Sequence, residues 1–298
     1  MDRRPKSRVQ RRENLLAFIE VRGVHKSFAS GSTARHVLRD VSIDIEQGEF
    51  VSIVGAMGSG KSTLLSLLAG LTMPDRGSIS IGGEALRGVH RHAAFVFQNY
   101  SLLPWFSALE NVRLAVAAAF PDLTREQQVM RASDALGNVG LGNAIHRRPR
   151  QLSGGMRQRV AIARAVATEP QVLFLDDPFG ALDALTRETL QQDLAELGSQ
   201  SNRRVTTVMI TNSVEEAILL SDRIVPMVPG PPATLGAAIP VELSRPRSLA
   251  QLAHDEQATH VRAHVIATLT AAPGRLRKQA PEANAPSPVL QAVAKETL

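Results

Sequence analysis

A glycine-rich loop carries the clearest chemical signal in this sequence. Residues 55–62 read Gly-Ala-Met-Gly-Ser-Gly-Lys-Ser, which fits the pattern G-x-x-x-x-G-K-[ST] between an apolar strand and an apolar helix. Glycines let backbone N–H groups point at a phosphate, and the helix N-terminus adds positive potential. Lys61 is expected to reach the β- and γ-phosphates of a nucleotide, and Ser62 to offer its hydroxyl to Mg²⁺. The residues expected to bind the nucleotide are Gly55, Ala56, Met57, Gly58, Ser59, Gly60, Lys61, Ser62 and Thr63.

Two adjacent carboxylates follow a buried strand later in the chain. Residues 172–175 are all apolar, and Asp176 and Asp177 come directly after them. A strand that ends in an acid is common by itself. In a chain that also holds a phosphate loop, such an acid is typical of a magnesium ligand, so Asp176 is predicted to hold Mg²⁺.

A second anion-binding element precedes another predicted helix. Residues 152–158 read Leu-Ser-Gly-Gly-Met-Arg-Gln, and the expected helix begins at about Gly154. Free amides at a helix N-terminus bind anions, although Ser-Gly-Gly before a helix is more often a simple cap.

The loop at 152–158 stands between the phosphate loop and the two carboxylates. With the motifs in this family's order and spacing, residues 17–247 resemble the ATP-binding cassette (ABC) family, whose signature loop reads L-S-G-G-Q. The resemblance implies an α/β fold: a P-loop NTPase of the ABC nucleotide-binding type, with a mainly parallel core sheet, an antiparallel β subdomain and an inserted helical subdomain. It also implies ATP and Mg²⁺ as cofactors. In this family two subunits enclose two ATP molecules, and the signature loop contacts the γ-phosphate held by the opposite subunit. The signature residues here are Ser153, Gly154, Gly155 and Met156.

Other positions take their expected roles from the same resemblance. Phe28 matches the aromatic residue that stacks on adenine, and Gln98 matches the glutamine that contacts Mg²⁺ and the attacking water. Asp183, in Ala181-Leu182-Asp183, belongs to the loop that passes between the two subunits. The segment Tyr100–Trp105 lies where related importers receive the membrane subunit.

The sequence departs from the family pattern at two positions of the hydrolytic site. Asp177 stands where efficient family members have Glu, which places the carboxylate one methylene further back. Asn212 stands where the pattern expects His, and it can donate a hydrogen bond to the γ-phosphate without becoming cationic. Two interpretations follow: a homodimer with slow hydrolysis, in which Asp177, Gln98 and Asn212 act as the catalytic residues, or a degenerate or regulatory subunit in a heterodimer.

The transported solute is inferred only from the resemblance of this sequence to known importers. Residues 216–227 and 230–236 resemble the nitrate/sulfonate/taurine branch of bacterial importers, and most of all its nitrate-type members. The resemblance implies uptake of a small anion with integral membrane permease subunits and a periplasmic or lipid-anchored solute-binding protein. The subunit is then expected to be peripheral, at the cytoplasmic face of the cell membrane. A soluble ABC protein acting on nucleic acid is the rival, but such proteins carry a long coiled coil or two cassettes.

Charge is distributed in a way that argues against a nucleic-acid partner. The chain has 298 residues, no cysteine and a net charge of +6. Residues 1–13 carry six basic and two acidic residues, and residues 245–298 carry seven basic and four acidic ones, so residues 14–244 have a net charge of −1. The basic residues thus belong to the ends, whereas a folded nucleic-acid binder has them on the domain itself.

The elements that position these residues alternate along the chain. Strands are expected at 18–21, 37–45, 49–54, 78–81, 93–97, 172–175, 205–210 and 223–228, and helices at 62–71, 154–168, 183–197 and 214–220. This alternation predicts a largely parallel sheet interrupted by a helical insertion. Three regions result: a basic N-terminal arm at 1–16, the ABC ATP-binding domain at 17–247 with its insertion at about 99–152, and 248–298, with one helix at 251–269 and a disordered tail.

Overall fold

The computed structural model describes residues 17–271 except 31–32, 181, 201–204, 229 and 231. The predicted basic arm and the predicted disordered tail lie outside these residues. The strands are β1 (Ile19–Ser30), β2 (Thr33–Ile45), β3 (Phe50–Val54), β4 (Arg76–Ile81), β5 (Glu84–Ala85), β6 (Ala93–Val96), β7 (Val172–Asp176), β8 (Thr206–Thr211), β9 (Arg223–Val228), β10 (Thr234–Leu235) and β11 (Ile239–Pro240). The helices are α1 (Lys61–Leu68), α2 (Ala108–Ala119), α3 (Arg125–Asn138), α4 (Gly154–Val166), α5 (Ala184–Gln200), α6 (Val214–Leu220), α7 (Leu249–Leu252) and α8 (Glu256–Thr270).

The core sheet has the strand order β10-β9-β3-β8-β7-β6. Strands β9, β3, β8, β7 and β6 are parallel, while β10 and β11 pair antiparallel with β9. Both faces of this sheet are covered, because Val172 and Phe174 belong to one buried cluster and Leu173 and Leu175 to the other. The predicted mainly parallel sheet is confirmed.

An antiparallel sheet in the order β2-β1-β4-β5 stands beside the core sheet. Strand β1 is much longer than the predicted strand at 18–21 and continues to Ser30, so Phe28 lies on it. Register shifts between Val21 and Ser27 interrupt the pairing of β1 with β2, and they also interrupt the alternation of apolar and polar residues. The interrupted pattern explains why the sequence revealed only the first part of β1.

A helical subdomain is inserted between β6 and α4. It consists of α2, α3 and two short 3-10 turns at Gly142–Ala144 and Pro149–Gln151. Ser107 caps α2, and Thr124 forms a reciprocal capping box with Gln127 at the start of α3. These elements lie within residues 99–152, and the bounds of the insertion remain a prediction.

The segment after β11 packs against α6. The prediction of one continuous helix at 251–269 is wrong, because α7 ends at Leu252 and α8 begins after Asp255, whose side chain accepts from the Ala258 amide. Ala258, Val261 and Val265 of α8 are buried in the core. None of the described helices is both long and apolar enough to cross a membrane.

Candidate functional site

The parallel register brings three loops to one edge of the core sheet. Val54 pairs with Thr211, and Asp176 pairs with Ile210. The phosphate loop follows β3, the two carboxylates end β7, and Asn212 follows β8. Since the carboxyl ends of parallel strands meet at the same sheet edge, residues more than 100 positions apart converge here.

The phosphate loop ends at a left-handed glycine that caps α1. Gly60 has φ of 98°, and a Cβ there would lie 3.0 Å from Val37 Cγ1. Only glycine combines this backbone conformation with so close a neighbour. The loop is therefore held between β2 and the start of α1, with its amides at the helix N-terminus.

Lys61 is buried, and its ammonium donates to three oxygen atoms. Its Nζ lies 2.7 Å from the carbonyl of Gly55, 2.8 Å from that of Ala56 and 2.8 Å from Oδ1 of Asn212. Burial lowers the pKa of Lys61, while the charges of Asp177 and Asp176 act in the opposite direction. The structure thus joins Lys61 to Asn212, a residue that the sequence placed in the same site.

Ser62 and Asp176 form the pair expected for a metal ion. Ser62 Oγ donates to Asp176 Oδ1 over 3.1 Å. Burial raises the pKa of Asp176, and the hydrogen bond from Ser62 lowers it in part. A hydroxyl and a carboxylate are the hard oxygen donors that Mg²⁺ prefers, so these side chains fit Mg²⁺.

Gln98 forms a hydrogen bond with Asp177, the second of the two adjacent carboxylates. Gln98 Nε2 donates to Asp177 Oδ2 over 3.1 Å. Asp177 has φ of 43°, in the left-handed region that Asp tolerates better than most residues. A Cβ at Gly180 would lie 2.4 Å from Asp177 Oδ2, so this glycine leaves room for the carboxylate. Burial raises the pKa of Asp177, against the opposing effects of Lys61 and Gln98.

Phe28 stands at the far end of the cleft that runs from the phosphate loop. Its ring is 45% exposed, and Lys26 Nζ lies 5.3 Å from the ring centroid. Asp75 fixes Lys26 through a 3.0 Å ion pair and accepts from the backbone amide of Ser27. One face of the aromatic ring is thereby backed by a cation, as suits a stacking platform.

The signature residues do not line this cleft. Ser153 caps α4 by accepting from the Met156 amide over 3.2 Å. Gly155 packs against α5, where a Cβ would lie 2.1 Å from Thr186 Cγ2. Asp183 is exposed and caps α5 through the Thr186 amide, which lowers the pKa of Asp183. Ala181 lies outside the described residues.

The Tyr100–Trp105 segment is a surface loop held by α4. Arg164 donates to the carbonyls of Ser101 and Tyr100 over 2.6 and 2.9 Å, and Arg157 stands over the Tyr100 ring. The indole of Trp105 is 63% exposed. The loop thus has a fixed base and an accessible aromatic side chain.

Sequence reasoning missed a buried carboxylate beside the site. Glu216 is 4% exposed and accepts from Thr211 Oγ1 over 2.5 Å and from Gln191 Nε2 over 3.2 Å. The spacing of Ser213 and Glu216 fits a capping box, a signal that could have drawn attention to this helix start. Ser213 does cap α6, but the Glu216 side chain points instead to Thr211 and α5. It connects the end of β8 to the helix that follows Asp183.

Comparison with known proteins identifies the family of this chain. A family model described as "ABC transporter" matches residues 38–180. The nitrate transport protein NasD of Klebsiella oxytoca is 45% identical over 249 residues, covering 83% of this chain and 94% of that protein. The nitrate import ATP-binding protein NrtD of Synechococcus elongatus is 42% identical and covers 84% of this chain and 90% of that protein.

Longer relatives and solved structures match as well. The bicarbonate transport ATP-binding protein CmpC of Synechococcus elongatus is 44% identical over 84% of this chain, which spans only 37% of that relative's length. The ATP-binding cassette MJ0796, solved as a dimer in a post-hydrolysis state with ADP and Pi, is 31% identical with a TM-score of 0.68. That match covers 76% of this chain and 100% of the solved one. The resemblance found in the motifs is confirmed: this chain belongs to the ABC transporter family and is one of its ATP-binding cassettes.

Proposed function

We propose that this chain is the ATP-hydrolysing subunit of an importer for a small inorganic anion. One observation carries the hydrolytic part: the phosphate loop, the Ser62–Asp176 pair and the Gln98–Asp177 pair share one sheet edge. The loop binds the phosphates, and the two pairs bind the metal ion and the attacking water. The regulatory alternative is not favoured, since the two relatives of similar length are named for nitrate transport and nitrate import.

ATP binds with its base on Phe28 and its β- and γ-phosphates in the phosphate loop. Lys61 contacts these phosphates by exchanging one of its three present acceptors, because an ammonium group has three donors. Residues 55–63 contribute backbone amides. Mg²⁺, held by Ser62, Asp176 and Gln98, would neutralise charge on the transferred phosphoryl group.

Hydrolysis uses the remaining polar side chains of this edge. Asp177 polarises the attacking water, and Gln98 fixes the carboxylate through its amide. Asn212 Nδ2 donates to the γ-phosphate once Lys61 has turned toward the phosphates. Because Asp177 is shorter than the family's Glu, we expect slow turnover, since misplacement of a catalytic group by about 1 Å lowers a rate about a hundredfold.

A second subunit completes each site. Ser153, Gly154, Gly155 and Met156 do not line the cleft of their own chain, and we propose that they contact the γ-phosphate in the opposite subunit. Asp183 and its loop lie between the two subunits in this arrangement. The dimeric state reported for MJ0796 supports such pairing. We propose a homodimer, which sedimentation of the purified chain with MgATP tests directly.

The names of the relatives support a proposed solute and proposed transport partners. NasD and NrtD are named for nitrate and CmpC for bicarbonate, so we propose nitrate as the solute and bicarbonate as the second candidate. The Tyr100–Trp105 loop, with its accessible Trp105, is the proposed contact for the permease subunits. A solute-binding protein serves the same system, and the cassette works at the cytoplasmic face of the membrane.

Three experiments test these proposals separately. Single-turnover hydrolysis by the purified chain, with Lys61→Ala as the negative control, tests the ATPase. Comparing the wild type with an Asp177→Glu/Asn212→His double variant tests the two departures, and a variant no faster than wild type excludes a degenerate site. Uptake of labelled nitrate and bicarbonate by cells with and without the gene tests the solute, and loss of neither flux excludes both.

A further inference from the structure

One cleft extends from Phe28 to the phosphate loop. It is lined by a cationic side chain that belongs to none of the sequence motifs. The cleft has a volume of about 470 Å³. Its walls include Phe28, Arg35 and Val37 from the antiparallel sheet, and residues 58 and 60–63 from the phosphate loop and the start of α1. Phe28 and the loop already have expected roles. Arg35 has none.

Strand pairing fixes where Arg35 lies. It is the direct partner of Phe28 across the β1–β2 pair, so the two side chains leave the same face with Cβ atoms about 5 Å apart. Val37, two residues further along β2, packs on Gly60 of the phosphate loop. Two residues of a strand span about 6.6 Å. Arg35 therefore lies beside Phe28 and two residues from Val37, the residue that packs on the phosphate loop.

The side chains of the neighbouring Lys26 and Lys61 have polar partners, whereas the side chain of Arg35 has none among the described residues. Lys26 pairs with Asp75, and Lys61 donates to three oxygens. Within the part of the chain that the structure describes, the side chain of Arg35 makes no hydrogen bond or ion pair, and it is exposed to the cleft. A guanidinium group offers a planar set of donors that matches phosphate oxygens.

We propose that Arg35 is a nucleotide-binding residue that donates to the α-phosphate of ATP. The inference rests on the proposed binding of ATP in this cleft. With the base on Phe28 and the β- and γ-phosphates in the loop, the ribose and the α-phosphate occupy the interval of the cleft between them, which Arg35 also lines. The α-phosphate is the charged group of that interval, so it is the partner that a cation would recognise.

The test compares nucleotide fragments on the full-length chain. Wild type, Arg35→Gln, Arg35→Lys and Arg39→Gln are titrated with MgATP, MgADP and adenosine at low and high salt. Arg39 lies on the same strand, is exposed and does not line the cleft, so its substitution controls for loss of one positive charge. We expect Arg35→Gln to weaken MgATP and MgADP by the same factor, about 3- to 10-fold, to leave adenosine unchanged and to reduce the salt dependence of binding. Arg35→Lys restores part of the affinity, and Arg39→Gln binds as wild type does.

Three results would overturn the proposal. Equal MgADP affinity in Arg35→Gln and wild type makes Arg35 a surface residue only. Equal loss for adenosine and MgADP assigns Arg35 to the base instead of the phosphate. Equal loss in Arg35→Gln and Arg39→Gln reduces the effect to net charge. Wild type that binds no MgATP would instead refute the proposed function, and this inference with it.

Discussion

Gln98 donates a hydrogen bond from Nε2 to Oδ2 of Asp177 over 3.1 Å, and it thereby ties the loop after β6 to the end of β7. Gln98 also precedes the Tyr100–Trp105 segment, which Arg164 anchors to α4. The carboxylate proposed to polarise water is thus connected through one side chain to the loop proposed to contact the permease. We expect a movement of that loop to be transmitted to Asp177 through this hydrogen bond.

Asp177→Asn is expected to abolish most hydrolysis and to spare binding. The amide keeps the size of the side chain but removes the charge that polarises water, so single-turnover hydrolysis should fall by about 100-fold or more. Binding of MgATP should stay within about threefold of wild type, since Lys61 and Ser62 are untouched. Asp134→Asn, on the exposed face of α3, is the matched control. A rate close to wild type would remove Asp177 from the mechanism.

Replacing Gln98 should shift the acid limb of the pH–rate profile, the range in which the hydrolysis rate falls as the pH drops. Burial raises the pKa of Asp177, and the Gln98 hydrogen bond counteracts that rise. The ionised carboxylate is the active form, so the rate falls as pH drops through this raised pKa. Gln98→Ala removes the counteracting bond and should move the limb to higher pH. A limb that stays in place would belong to another group, such as Asp176, whose pKa burial also raises.

Asn212→His should make nucleotide binding depend on pH. The imidazole would stand beside Lys61 Nζ, whose charge lowers the pKa of any histidine there. Below that pKa the site holds an additional cation, and the anionic diphosphate favours this charged form, so MgADP affinity relative to wild type should rise severalfold between about pH 7 and pH 5. Asn138→His, at the exposed end of α3, should show no such change. A pH-independent ratio would place position 212 away from Lys61 in solution.

Gly155→Ala should destabilise the packing of α4 on α5. The new methyl group would meet Thr186 Cγ2 at 2.1 Å, so one helix has to move, at a cost of about 1–3 kcal/mol. Thr186→Ser removes the obstructing methyl group, and the Gly155→Ala/Thr186→Ser variant should recover most of the loss. Urea denaturation of the four proteins checks this. Additive effects of the two substitutions would contradict the contact.

Glu216→Gln should raise stability at neutral pH. Burial raises the pKa of Glu216, which means that the ionised carboxylate lowers the stability of the folded chain at neutral pH. A raised acid pKa contributes stability below the unfolded pKa and loses it as pH rises through the folded one. The advantage of the amide should therefore vanish below the ordinary glutamate pKa of about 4.3. The amide retains partners, because buried Oε1 of Gln191 lacks a donor. Unfolding midpoints from pH 4 to 8, compared with those of the exposed-site control Glu188→Gln, test the sign.

Local signals in the sequence predicted the residues of the site, but tertiary structure decided their contacts. The phosphate loop could be identified because its conformation depends on glycines within eight residues. The contact of Lys61 with Asn212 depends on β3 pairing with β8, and the place of Arg35 depends on a β1–β2 register with several shifts. Such register is set by packing over long separations, which periodicity does not encode. The break before α8 was signalled in the sequence by Asp255, which caps this helix, but the apolar pattern around Asp255 obscured that signal.

The position of β3 in the core sheet has a consequence for biosynthesis. Its hydrogen-bonded neighbours are β8 and β9, and Phe50 pairs with Thr207. At elongation rates of about 5–20 residues per second, β3 leaves the synthetic machinery about 8–30 s before its first partner does. During that interval an apolar strand has both edges unpaired, which is the condition that favours chaperone binding and aggregation. We therefore expect the strand that positions the phosphate loop to need protection in the nascent chain until β8 has been synthesised.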